Sequence, residues 1–246
     1  LAAKVFRHVS DAFAEDPLRL LRIARFAARF PDFIVAPETM QALQAIVHSN
    51  ELSALSPERI WQELARGLTA TKPMHMFQVL LDCGAAKPLL PSALVLSLAQ
   101  DDFRRDLIAH LQTADDHLEN RCAVVLMHLP TADIRSWAEC IRMPNEVRDF
   151  CEIFSELNRL IEADVLAWFN RADVWRKPDR GNALLDLAKR IGLNVDTLIS
   201  AMQNTQSLNT AQIIEGVLLE ERSNGENIRS AVDAARLSAI SAAINN

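Results

Sequence analysis

The sequence predicts an all-α fold, and three features of the chain support that prediction. Glycine is scarce, with six in 246 residues, and tyrosine is absent, which disfavours a sheet built on tight hairpins. Alanine and leucine, which are strong helix formers, are abundant. Turn and helix-start signals also divide the chain into segments of ordinary helix length. These signals lie at residues 31–37, 56–57, 72–73, 88–91, 130, 144–145, 178–181 and 223–225.

The first well-defined element is a helix predicted over residues 17–30, within DAFAEDPLRLLRIARFAARF. Asp16 is a good N-cap, and Pro17 suits the first helical position, where its missing N–H costs nothing. At about 100° per residue, the arginines of this helix fall within an arc of about 120°. Apolar residues occupy the rest of its circumference. We therefore expect a helix docked on its neighbours, with one cationic edge formed by Arg19, Arg22, Arg25 and Arg29.

Two interpretations of this cationic edge remain open from the pattern alone. In the first, it is a solvated basic stripe whose arginine stems cover apolar surface and pair with Glu15 or Asp11. In the second, guanidinium groups mounted rigidly beside a carboxylate bind phosphates or the edge of a base. Periodicity does not choose between them.

Two further helices are predicted from capping signals and apolar spacing. Ser56 is a candidate N-cap with Pro57 at the first helical position, and the following ERIWQELARGL places an apolar stripe on one face. The segment MHMFQVLLDCGAAKPLL is a second apolar helix that Gly84 can close as a C-cap. The stripe of the first consists of Ile60, Trp61, Leu64 and Leu68.

Charge and cysteine content restrict the class of protein. Acidic residues outnumber basic ones by 32 to 26, so any site for a polyanion must be a local patch. The four cysteines lack zinc-finger spacing and are expected to be reduced, buried thiols of a cytoplasmic protein. No apolar leader is present and no uncharged stretch approaches the roughly 18 residues that span a bilayer, so no membrane association is expected. The cysteines are Cys83, Cys122, Cys140 and Cys151.

The order of motifs along the chain resembles the second half of bacterial class II tRNA nucleotidyltransferases, the CCA-adding enzymes, and their poly(A) polymerase relatives. EDPLRLLRIARFAARF is followed by APETMQAL and LSPERIWQEL. The similarity continues through FQVLLDCGAAKPLLP, RMPNEVRDF and NGENIRSAVDAARLSAI. The resemblance implies an elongated multi-helix array with a neck over residues 1–92, a body over 93–178 and a tRNA-binding tail over 179–246.

The resemblance also implies roles for residues of the E-D-x-x-R element. In the family its Asp and Arg bind the Watson–Crick edge of incoming CTP or ATP, which places those roles on Asp16 and Arg19, with Arg22 as a further nucleotide contact. The chemistry is consistent, because a carboxylate only accepts and a guanidinium only donates hydrogen bonds. Weaker assignments are support of the helix by Glu15, Glu58 and Arg59, and contacts to RNA by Arg25, Arg29, Arg222, Arg229 and Arg236, for which surface solvation is an equal alternative.

The catalytic motifs of the family do not occur in this chain. Nucleotidyl transfer in the family uses carboxylates of a G-G-x-x-R-D loop and a D-x-D strand to hold metal, and the sequence contains neither a Gly-Gly pair nor a D-x-D. We therefore expect no catalytic and no metal-binding residue here. The intact protein would add CCA to tRNA 3′ ends with Mg²⁺ held by a separate head, and this chain alone would transfer nothing.

The middle of the chain departs from the HD phosphohydrolase domain of several bacterial members. In CAVVLMHLPTAD, Leu129 follows His128 where the motif has Asp, so His128 is expected to be packed and not to bind metal. A second cluster, comprising His110, Asp115, Asp116 and His117, matches no metal-binding motif.

Two alternative functions stay open. A poly(A) polymerase shares the arginine helix but usually carries a basic C-terminal extension, whereas residues 179–246 contain six Lys or Arg against eight Asp or Glu. A helical RNA-binding or adaptor module that never had a catalytic head is the other alternative.

Overall fold

The computed structural model describes residues 3–218 and 225–245, and the all-α prediction is confirmed. The chain packs as two compact units, the first ending at Ser155 and the second beginning at Glu156. The division into neck, body and tail stays a prediction. The first ten helices are α1 (Leu18–Arg29), α2 (Pro37–His48), α3 (Pro57–Leu68), α4 (Pro73–Asp82), α5 (Ala86–Leu89), α6 (Ser92–Leu98), α7 (Asp101–Thr113), α8 (Leu118–Leu126), α9 (Thr131–Cys140) and α10 (Asn145–Glu156).

The remaining helices belong to the second unit. They are α11 (Val165–Ala172), α12 (Pro178–Arg190), α13 (Asp196–Gln206), α14 (Thr210–Leu218) and α15 (Gly225–Ile244). Helix α15 packs against α11, α13 and α14. The core of this unit includes the fully buried rings of Trp168 and Phe169, whose large apolar area makes them major contributors to its stability. Short 3-10 turns occur at Asp11–Glu15, Glu51–Ala54, Leu157–Arg159 and Glu162–Asp164.

Helix α1 is the centre of the first unit. It packs against α3 and α4 and buries Leu20, Leu21 and Ala24 almost completely. Helix α3 adds buried residues of its own to the core of this unit, including Leu64 and Leu68. The broad apolar face predicted for α1 is therefore its packing face, and the arginines are left at the edge of the contact.

One pairing of strands was not predicted from the sequence. Strands β1 (Val5–Phe6) and β2 (Ile34–Val35) run parallel, with α1 as the crossover between them. Two-residue strands are too short to show alternation, so the pattern could not reveal them. The pairing places the Phe6 ring 5.0 Å from that of Phe33 and 6.4 Å from that of Phe26, which fixes the C-terminal part of α1.

The helix-end signals were largely but not entirely correct. Gly84 has φ +83° directly after the C-cap of α4, as predicted for a closing glycine. Pro178 begins α12, but Gly181 lies inside that helix and does not break it. A Cβ at Gly181 would lie 2.8 Å from Cγ1 of Val174, so this glycine serves the close approach of α12 to Val174.

The cysteine prediction was correct for three residues and wrong for one. Cys83, Cys122 and Cys151 are buried, and Cys140 is exposed. On α9 the buried positions are Ile134 and Ala138, four residues apart, and Cys140 points about 200° away from Ala138. Burial raises the pKa of the Cys83 thiol to about 11.

None of the helices in the described ranges is long and apolar enough to cross a membrane.

Candidate nucleotide and RNA interface

Asp16, Arg19 and Arg22, the predicted nucleotide contacts, are here called the template residues, and α1 the template helix. Asp16, the predicted acceptor, lies at the start of α1. Its Oδ1 accepts a hydrogen bond from the backbone N–H of Leu18 at 3.1 Å. The predicted helix start is one residue too early, because α1 begins at Leu18 and Pro17, not Asp16, is its N-cap. Oδ1 of Asp16 also lies 3.6 Å from Nη2 of Arg59 on α3. The side chain of Asp16 is 35% exposed, so the carboxylate is oriented by its neighbours and still accessible to a ligand.

Arg19 is held beside Asp16 by the 3-10 turn that precedes α1. Its Nη1 donates a hydrogen bond to the carbonyl oxygen of Ala12 at 2.6 Å, and its guanidinium carbon lies 6.0 Å from the ring centre of Phe13. Arg22, one turn further along, is exposed and has no hydrogen bond or ion pair with any residue that the structure describes. Arg19 is therefore pre-positioned, while all the donors of Arg22 are available to a ligand.

The two glutamates predicted to support the template helix form no ion pair with it among the described residues. Glu15 and Glu58 are both exposed, and neither pairs with a cation in the described part of the chain. Of the three supporting residues named from the sequence, the structure brings only Arg59 against Asp16. Support by Glu15 and Glu58 stays a prediction.

Arg25 is tied down by a residue that sequence analysis missed. Glu63 of α3 is 4% exposed, and its Oε2 lies 3.1 Å from Nε of Arg25, while its Oε1 lies 3.6 Å from Nη1 of Arg66. The sequence did contain a signal, because Glu63 falls on the apolar face of α3, one turn from both Ile60 and Gly67. A carboxylate on a buried face needs a compensating charge. Arg25 supplies that charge at ion-pair distance, while Oε2 of Glu63 has no hydrogen-bond partner among the described residues.

Arg29 remains at the surface at the end of α1. It is exposed, and its guanidinium carbon lies 5.5 Å from the ring centre of Phe30. No ion pair links it to the residues that the structure describes. Arg29 can thus offer its donors to a ligand, whereas Arg25 is committed to Glu63.

The tail arginines named from the sequence have three different placements. Arg222 lies outside the described residues. Arg229 is 83% exposed, 3.8 Å from Asp233. The guanidinium of Arg236 lies 3.5 Å from the ring centre of Trp175 with 16% of the side chain exposed, and burial lowers its pKa. Arg236 is therefore mainly a packing residue, and Arg229 is the tail arginine whose donors face solvent.

In the acidic and histidine cluster, Asp115 forms hydrogen bonds with residues at the start of α8. Oδ1 of Asp115 accepts hydrogen bonds from the His117 backbone N–H at 3.1 Å and from Nδ2 of Asn120 at 2.8 Å. Within residues 3–218 and 225–245 no group of three or more His, Cys, Asp or Glu could hold a metal ion. His128 is exposed, contrary to the expectation of a packed side chain, with its ring 5.5 Å from that of Phe103.

Comparison with protein families gives one match within the first unit. Residues 32–95 match the family described as "Probable RNA and SrmB-binding site of polymerase A". This stretch includes α2, α3 and α4, and so contains Arg59, Glu63 and Arg66 but not the template residues of α1.

Curated relatives match almost the whole chain. The "Multifunctional CCA protein" of Burkholderia pseudomallei (strain 668) is 36% identical over 288 residues, covering 99% of this chain and 70% of the relative. That of Burkholderia cenocepacia is 36% identical over 292 residues with the same coverage. Both aligned stretches exceed the 246 residues of this chain, so each relative carries residues within the match that this chain lacks.

Solved structures share the fold at low sequence identity. A CCA-adding enzyme with CTP has a TM-score of 0.61 and 14% identity, over 97% of this chain and 59% of that one. The Thermotoga maritima CCA-adding enzyme complexed with tRNA_CCA has a TM-score of 0.57 and 15% identity, over 98% of this chain and 64% of that one. The chain thus spans about three fifths of these structures.

Proposed function

The chain belongs to the family of the multifunctional CCA proteins, and from this premise we propose that it is the nucleotide-selecting and tRNA-binding part of a tRNA nucleotidyltransferase. The intact enzyme adds C, C and A to tRNA 3′ ends from CTP and ATP. The catalytic carboxylates lie outside this chain, which alone is inactive.

The observation that carries this proposal is the pairing of an oriented acceptor with an oriented donor at the start of α1. Cytosine and adenine both present an exocyclic amine beside an unprotonated ring nitrogen on their pairing edge. Asp16 accepts from the amine and Arg19 donates to the ring nitrogen. Uracil and guanine present a carbonyl beside a ring N–H, which would face the wrong partners and leave polar groups unsatisfied. Arg22 takes a further contact to the nucleotide.

Binding of tRNA is assigned to exposed arginines. Backbone phosphates are bound by side chains of this kind without base readout. Arg29 and Arg229 are the named candidates with donors facing solvent, while the charge of Arg25 is offset by Glu63. The other two candidates named from the sequence are Arg222, which lies outside the described residues, and Arg236, which packs on Trp175.

The metal of the reaction is proposed to be Mg²⁺, bound by carboxylates that this chain does not supply. Among the described residues no donor set fits such an ion, so we assign this chain no step through the metal. Bound by those carboxylates, Mg²⁺ would supply Lewis acidity toward the 3′ hydroxyl and positive charge toward the triphosphate. We propose that the intact enzyme is cytoplasmic.

Sequencing of reaction products tests the proposal. The intact protein is incubated with a tRNA transcript that lacks CCA, with CTP, ATP and Mg²⁺, and the 3′ ends are read. Ordered addition of C, C and A supports the proposal. Tracts of A would instead identify a poly(A) polymerase, which the polymerase A description of residues 32–95 favours as the second candidate. Binding of tRNA without any extension would identify an RNA-binding module.

A further inference from the structure

A cationic cleft lies beside the C-terminal end of α1, and no carboxylate lines it. It has a volume of about 350 Å³. We infer that this cleft binds backbone phosphates of an RNA strand, an inference that rests on the proposed tRNA-binding function. Three guanidinium groups and two hydroxyl groups supply its donors. Its lining consists of Arg25, Arg29, Arg66, Thr69, Ala70 and Thr71.

Glu63 organises the cleft from behind. Its buried carboxylate lies within 3.1 Å of Arg25 and 3.6 Å of Arg66, and so holds both side chains in place before a ligand arrives. One carboxylate against three guanidinium groups leaves a local excess of positive charge in a chain whose net charge is −6. Arg29 is exposed and Arg66 is 60% exposed, so both can reach phosphate oxygens. Arg66 can do so while its Nη1 stays near the buried Glu63.

A second cleft continues from the first around the connection between α3 and α4. It has a volume of about 440 Å³, shares Thr71 with the first, and adds Lys72, His75 and Arg121 without a carboxylate. Arg121 donates to the backbone carbonyl oxygens of Leu68 at 3.1 Å and Ala70 at 2.8 Å. Arg121 therefore fixes this connection, while the exposed Lys72 extends the positive surface along it.

The position of the cleft relative to the template residues suits a single strand. Arg19 and Arg29 are ten residues apart on one edge of α1, which is about 15 Å along the helix axis. With the incoming nucleotide at Asp16 and Arg19, the strand that ends beside it would follow this edge past Arg22 to the cleft. The cleft is thus placed to hold phosphates a few nucleotides from the growing 3′ end, and it contacts no base.

Charge removal at the two accessible arginines tests the inference in the intact enzyme. Arg29→Gln and Arg66→Gln are each expected to weaken binding of tRNA lacking CCA by about tenfold at low salt. Each should also reduce the slope of log K against log salt by about one, the signature of one lost phosphate contact. Affinity for CTP and ATP should not change. Arg66→Lys, which retains the charge, should recover most of the loss.

The matched control is Arg142→Gln, an exposed arginine after α9 that lines neither cleft; thermal melts verify that all variants are folded. Equal losses in Arg142→Gln would show a general charge effect and overturn the inference. The inference would also be overturned if Arg29→Gln and Arg66→Gln both bound tRNA with wild-type affinity and wild-type salt dependence. If these variants still added CCA, the proposed function would stand. A wild-type enzyme that neither binds nor extends tRNA would overturn both.

Discussion

At the residue scale, the site depends on long-range pairs that local sequence patterns do not contain. The spacing of the α1 arginines predicted one cationic edge, and the structure gives its members different environments. Arg25 is paired with Glu63 of α3, Arg19 with the Ala12 carbonyl, and Arg22 with none of the described residues. Periodicity assigns residues to a face of a helix but does not identify their partners, whether in the preceding turn, as for Arg19, or on another helix, as for Arg25.

The buried pair of Arg25 and Glu63 predicts a large effect on stability. Glu63→Gln removes the charge that compensates Arg25 and leaves an amide on an apolar face, so the free energy of unfolding should fall by about 3 kcal/mol. Urea denaturation at constant m-value measures the loss. The control is Glu58→Gln, an exposed position on the same helix, which should change stability by less than about 0.5 kcal/mol. Similar midpoints for the two variants would contradict the role given to Glu63.

At the element scale, helix ends were more predictable than helix contacts. Asp16, Pro57 and Gly84 carry chemistry that favours a helix end wherever it occurs, and each lies at or next to one. Strands β1 and β2 carry no local signal, because each gains its hydrogen bonds only from the other. Gly181 shows the opposite case, in which a local signal was misleading. The sequence predicted a helix break at this glycine, but it lies inside α12, where Val174 leaves no room for a side chain.

Gly181 provides a prediction with an internal control. Gly181→Ala improves helix propensity by about 1 kcal/mol, but its Cβ would lie 2.8 Å from Val174 and 3.0 Å from Met202, and such overpacking costs about 1–3 kcal/mol. We expect net destabilisation. Gly216→Ala, in α14 with no atom within 4 Å of the added Cβ, should instead stabilise by about 0.5–1 kcal/mol. A lower urea midpoint for Gly181→Ala and a higher one for Gly216→Ala, each relative to wild type, would confirm that Gly181 is required by close packing. Stabilisation by both substitutions would contradict it.

At the scale of the whole molecule, a local group of arginines occurs within an acidic chain. The net charge of −6 excludes a general polyanion coat, and Arg22, Arg29 and Arg66 are exposed along α1 and at the adjoining clefts. Composition predicted that any such site must be local, and the motif order along the chain indicated which helix carries it. Neither predicted the cleft, because its lining comes from two helices and a connection that meet only in the folded first unit.

The central claim is that the start of α1 selects the nucleotide, and one measurement tests it most directly. Rates of single-nucleotide addition to tRNA are compared for CTP, ATP, UTP and GTP with wild-type enzyme, Arg19→Ala and the control Arg142→Ala. Loss of the Arg19 donors should reduce the preference for CTP and ATP by about 10- to 100-fold, with the KM for tRNA unchanged and the control like wild type. A slower Arg19→Ala enzyme with its preference intact would contradict the claim.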